Sequence, residues 1–150
     1  MKKLALALVC VLMVGLLTNC GGGNDPQGAN LFIEVPVNDE PGSHYQIYSV
    51  KFLSPGQQGG SGKNIWHQCL GTTRIGNYDY YMFRAPHKEM DIYIEANVDY
   101  DGPGIYNGDH YANERVRVNL RLNDWARLDT KGTDHNGILY RAVQGSGDIQ

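Results

Sequence analysis

The stretch Met90-Asp91-Ile92-Tyr93-Ile94-Glu95-Ala96-Asn97-Val98 alternates apolar and polar side chains without a break. Successive side chains of a strand point to opposite faces. Met90, Ile92, Ile94, Ala96 and Val98 therefore share one face, and Asp91, Tyr93, Glu95 and Asn97 the other. The same period recurs on both sides of this stretch. Leu31, Ile33, Val35 and Val37 alternate with Phe32, Glu34 and Pro36. Tyr48, Val50 and Phe52, within 44–52, alternate with Ser49 and Lys51. Val116, Val118, Leu120 and Leu122 alternate with Arg115, Arg117, Asn119 and Arg121. Weaker strand candidates fall at 65–70, 78–84 and 138–143. Pro36 lacks an amide donor, which places its strand at a sheet edge or close to a strand end. Residues 123–128 read as a short helical turn, and no helical period persists over three turns after residue 28.

About seven strands with one apolar face each predict an all-β domain over residues 30–150. Two antiparallel sheets packed face to face as a β-sandwich satisfy the pattern best, with a small closed β-barrel as the alternative. Turn chemistry separates the strands: a Gly-rich loop from Ser54 to Asn64, Ala85-Pro86-His87-Lys88, and Asp134-His135-Asn136-Gly137. The 54–64 loop reads as flexible. The full chain of 150 residues leaves room for one domain of this size. Its formal net charge of -3 is too small and too evenly spread for a nucleic-acid binder.

The N-terminus carries Lys2 and Lys3, an apolar run from Leu4 to Leu17, and then Thr18-Asn19-Cys20-Gly21-Gly22-Gly23. The apolar run is shorter than the roughly 20 residues a spanning helix needs, and its layout is that of a secretory signal. It resembles the type II signal peptide of bacterial lipoproteins, whose lipobox runs Leu, two small residues, Cys; Asn19 departs from the small residue expected before the cysteine. The resemblance implies residues 1–19 as signal peptide, lipidation of Cys20, and 20–29 as a flexible tether. Gly21, where an inner-membrane protein often has Asp, implies an outer-membrane protein anchored through its acyl chains and facing the periplasm or the cell surface. Without residues 1–19 the chain has 11 basic and 16 acidic side chains. Of Cys10, Cys20 and Cys69, only Cys69 then keeps a free thiol, so no disulfide forms within a mature monomer.

Met82-Phe83-Arg84-Ala85-Pro86, the strand from Tyr93 to Asp99 and the Asp/Gly-rich loop to Tyr111 resemble a hairpin of prealbumin-like (transthyretin-like) envelope domains. That resemblance covers residues 82–111 and implies a sandwich without transferring an activity. In size and layout the chain is also similar to the prealbumin-like lipoproteins of secretion-machine membrane complexes.

Chemistry-bearing residues are sparse. The histidines are scattered, no Gly-x-Ser-x-Gly is present, and Gly59-Gly60-Ser61-Gly62-Lys63-Asn64 lacks the first glycine and the final Ser/Thr of a phosphate loop. Asp99, Asp101 and Asp109 would offer calcium the hard oxygen ligands it prefers, although the same residues also build a long turn. Tyr100, Tyr106 and Tyr111 around that loop, and the basic stripe Arg115, Arg117 and Arg121, offer contact area to a partner or a glycan. With no acid–base pair, nucleophile or resident cofactor evident, the chain reads as a non-enzymatic scaffolding subunit of an envelope, pilus or filament assembly. A glycan- or calcium-binding module at 99–111 is the alternative.

Overall fold

A computed structural model describes residues 28–36, 43–100, 108–134 and 137–149. The described chain forms eight strands: β1 Leu31–Glu34, β2 Ser43–Leu53, β3 Thr72–Ile75, β4 Tyr78–Phe83, β5 Glu89–Tyr100, β6 Gly108–Asn119, β7 Asp124–Asp134 and β8 Gly137–Ser146. They make a five-stranded sheet in the order β3-β4-β1-β7-β8 and a three-stranded sheet in the order β2-β5-β6. The two sheets are not closed into a barrel, so the architecture is the sandwich.

The core lies between the sheets. Leu31 and Ile33 of β1, Phe83 of β4 and Leu128 of β7 pack toward Val50 of β2, Met90, Ile92 and Ile94 of β5 and Val118 of β6. Each such side chain taken fully out of water contributes about 1.5–3 kcal/mol. The alternation of Met90 to Ala96 is realised as read: the even-numbered residues are buried in the core and pair with Val118, Val116, Glu114 and Ala112 of β6.

Four details depart from the sequence reading. First, the larger sheet is mixed, because β1 runs parallel to β7 and antiparallel to β4. Second, residues 124–134 form a strand and 65–70 do not; Trp66–Gln68 is a single 3-10 turn. Third, β6 ends at Asn119, so Leu122 leaves the core face and stands 73% exposed in the β6–β7 turn. Fourth, a register shift between Ile47 and Ser49 marks a bulge at Tyr48. The extra residue turns Tyr48 away from the face of Val50, toward the ring of Tyr111, 6.3 Å away.

Both outer faces carry cover. On the five-stranded sheet, Phe32, Ile75, Tyr80, Met82 and Ile149 make a second apolar cluster, with Leu70 and Trp125 against it. This explains why all four residues of β1, the central strand, are buried. Over the three-stranded sheet lies the Gly-rich 54–64 segment. Lys51 Nζ donates to Gly59 O (3.1 Å), Arg115 Nη2 to Gln57 O (2.7 Å), and Ile65 N to Val50 O (2.8 Å). Asn64 bridges to the β2 edge through both its amide atoms, taking Val50 N and giving to Tyr48 O. Expected as a flexible loop, the segment is hydrogen-bonded to the sheet, and glycine permits the approach: a Cβ on Gly59 would collide with the Tyr93 ring and one on Gly62 with Leu53.

Candidate functional site

A cluster of buried ionisable groups lies on the outer face of the five-stranded sheet, around a cleft of about 390 Å³. The parallel register of β1 and β7, with Phe32 opposite Arg127, brings Glu34 to Thr130. Thr130 donates twice to the Glu34 carboxylate, through its amide to Oε2 and its hydroxyl to Oε1, both at 2.8 Å. Asp129 accepts the Tyr80 hydroxyl (3.0 Å) and a two-pronged hydrogen bond from Arg127, Nε to Oδ1 (2.7 Å) and Nη2 to Oδ2 (3.1 Å). Arg141 stands 4.0 Å from Asp129 Oδ2. The Arg127 guanidinium also lies over the Tyr80 ring, 5.9 Å from its centroid.

Glu34 and Asp129 are only 4% and 7% exposed. Asp129 is paired with Arg127 and hydrogen-bonded, and the Glu34 carboxyl is hydrogen-bonded by Thr130, which offsets part of the cost of burying them. Burial pushes the Tyr80 phenol well above its ordinary pKa; its hydrogen bond to Asp129 adds to the rise and Arg127 opposes it. Tyr80 is therefore a fixed donor at neutral pH. Arg127 is held charged more strongly than usual, chiefly by Asp129. Tyr78 and Ile75 line the same cleft, Tyr78 with half its surface exposed. The result is a recess with fixed donors and acceptors and an aromatic at its margin.

A second polar cluster sits under the 54–64 segment. Asp91 receives Arg117 Nε (2.7 Å) and Arg115 Nη1 (2.8 Å) across the β5–β6 ladder. The Arg117 hydrogen bond dominates, burial opposes it, Arg115 reinforces it, and the net effect holds the Asp91 carboxyl down at about 2. Lys51 pairs with Glu95 (2.8 Å), which also accepts the Tyr111 hydroxyl. Burial raises the Glu95 pKa, but the hydrogen bonds it accepts, that from Lys51 foremost, together outweigh burial and the net shift is downward.

The residues singled out from sequence are thus partly dispersed. Arg115 and Arg117 do share the outer face of β6, but their guanidiniums are engaged by Asp91. Arg121 is not on that strand; it begins the β6–β7 turn, where its amide donates to Asp124 Oδ2 (2.9 Å). Tyr111 is 54% exposed and tied to Glu95. Cys20, Asp101 and Tyr106 lie outside the described residues, as do the side chains of Asp99, Tyr100 and Asp109. The backbone register does place Asp99 directly opposite Asp109, and Tyr100 opposite Gly108. Among the described residues no three His, Cys, Asp or Glu side chains come together to hold a metal ion. Cys69 is half-buried, its thiol near Gly71 O (3.4 Å).

Glu34, Tyr80, Arg127, Asp129 and Arg141 were missed because they come from four strands. One signal was available. Once 124–134 is read as a strand, Arg127 and Asp129 fall on one face and Ala126 and Leu128 on the other. A larger cleft of about 600 Å³ opens between Gly28, Phe32, Leu122, Trp125 and Ile149. No protein-family model, curated protein or solved structure matches this chain.

Proposed function

We propose that the protein is an outer-membrane lipoprotein, anchored through acyl chains on Cys20, whose sandwich is a non-enzymatic structural subunit of a larger envelope assembly. The observation that carries the reading is the open edge at β3. Among the described residues, Thr72–Ile75 pairs with β4 on one side and ends the five-stranded sheet on the other. An exposed strand edge offers a row of amide and carbonyl groups to a strand from another chain. The β2 edge differs, since Asn64 and Ile65 already take its groups between Tyr48 and Lys51. The lipobox-like Leu17-Thr18-Asn19-Cys20 supports the anchor, and the likeness in size and layout to prealbumin-like lipoproteins of secretion-machine membrane complexes supports a part in such an assembly. Each methylene buried in the bilayer adds about 0.8 kcal/mol, so several acyl chains hold the domain firmly at the membrane.

The test of the anchor is metabolic labelling with a radioactive fatty acid. Label should enter the full chain and vanish in Cys20→Ser, which should also move the protein out of the membrane fraction. An unlabelled chain would overturn the anchor.

The alternative is a glycan- or calcium-binding module at 99–111, and its calcium form draws on the register that sets Asp99 opposite Asp109. Like charges directly opposed on two strands destabilise the pair, and a cation would relieve them. Calcium should then raise the melting temperature and chelation should lower it.

A further inference from the structure

We infer that the cleft on the outer face of the five-stranded sheet is a binding site for a neutral saccharide. This goes beyond the scaffolding role and stands independently of it, on a surface distinct from the 99–111 loop.

Charge balance comes first. Glu34 and Asp129 contribute two carboxylates to the lining, and Arg127 and Arg141 two guanidiniums. The recess is formally neutral, so it offers a strongly charged ligand no net attraction. What it offers is a close array of acceptors and donors, which suits a ligand carrying many hydroxyl groups that both give and accept hydrogen bonds. The array is held in place beforehand. Asp129 is fixed by Tyr80 and Arg127, and Glu34 by Thr130, so little side-chain order remains to be imposed on binding. A carboxylate has about four lone-pair positions, and Thr130 takes two on Glu34. Arg141 is largely exposed and only 4.0 Å from Asp129, leaving its guanidinium able to turn to a ligand.

The second element is apolar. Tyr78 is two residues from Tyr80 on β4 and therefore on the same face, half exposed beside the cleft. An aromatic face beside a polar recess suits a pyranose ring, which has C–H groups on its faces and hydroxyls around its edge. The rim is built from the β3–β4 turn, whose two-residue loop begins at Gly76 (φ +61), with open space where a side chain would stand. The cleft volume of about 390 Å³ falls within the range of small-molecule sites, toward its lower end. That size admits one or two sugar units.

The test uses the full lipidated chain in a non-glycosidic detergent, lauryldimethylamine oxide, so that the detergent head cannot compete. Cellotriose, maltotriose and triacetylchitotriose are titrated by calorimetry and by saturation-transfer NMR. At least one should bind in the millimolar range or tighter, and Tyr78→Ala should weaken it about tenfold. Arg141→Ala should weaken it as well, while Tyr111→Ala, an equally exposed tyrosine elsewhere, should leave it unchanged. Both cleft side chains are exposed, so the variants should melt like the parent. Absence of binding by all three trisaccharides, or a loss no larger in Tyr78→Ala than in Tyr111→Ala, would overturn the inference. Neither result touches the native mass of the assembled protein, on which the scaffolding role is judged.

Discussion

Arg117 Nε donates to Asp91 Oδ1 over 2.7 Å, joining a half-exposed guanidinium on β6 to a carboxylate on β5 that is 1% exposed. The pair marks where an exposed basic stripe becomes structural. Because the folded carboxyl sits at about 2, below its ordinary value near 4, its contribution is fully present above pH 4. That stability is lost as pH falls from about 4 toward 2. Asp91→Asn should cost about 1–3 kcal/mol at pH 7, where hydrogen bonds to a charged group are removed, and should flatten the stability profile between pH 4 and 2. Denaturant melts across that range check both.

Gly59 lies against the hydroxyl end of the Tyr93 ring, with no room for a methyl group. Gly59→Ala must push the 54–64 segment off the sheet or displace the ring, at about 1–3 kcal/mol. Gly60 faces open space, so Gly60→Ala should leave the melting temperature nearly unchanged. Equal effects in the two variants would show that the segment does not press on the sheet.

The strands visible in the sequence are those whose alternation maps onto one core face and one wet or polar face. Met90 to Ala96 is the clearest case. β7 escaped notice because its outward positions carry Arg127 and Asp129, which are paired and sheltered, and only Ala126 and Leu128 mark its inner face. β3 is four residues long and mostly polar, as an edge strand can afford to be. The Tyr48 bulge shifts the period by one, an insertion no alternation rule anticipates. The cleft was invisible for a simpler reason: Glu34 meets Thr130 across 96 positions and Tyr80 meets Asp129 across 49. Only the parallel passage of β1 beside β7 brings them together.

Tyr80→Phe removes a buried donor from Asp129 and should cost about 1 kcal/mol. Asp129→Asn should cost more, because Arg127 loses its partner as well. The double variant should cost less than the sum of the two, a coupling that denaturant melts of the four proteins measure directly.

Glu114 points inward from β6 between Val116 and Ala112, against Tyr140. Burial raises its pKa, partly offset by Lys131. A carboxyl with a raised folded pKa weakens the fold when ionised and stops doing so as pH falls through that pKa. Glu114→Gln should therefore raise stability at pH 7 by up to about 1 kcal/mol, with the gain vanishing near pH 4.

The proposed scaffolding role is tested most directly by the native mass of the full chain after mild-detergent extraction from its membranes, compared with Arg74→Pro. Proline removes an amide donor from β3 and is tolerated at a sheet edge. The parent should run as a discrete complex of fixed stoichiometry, and Arg74→Pro should release it as a monomer with an unchanged melting temperature. A parent that is itself monomeric with no co-purifying chain, or a complex indifferent to Arg74→Pro, would contradict assembly through the β3 edge.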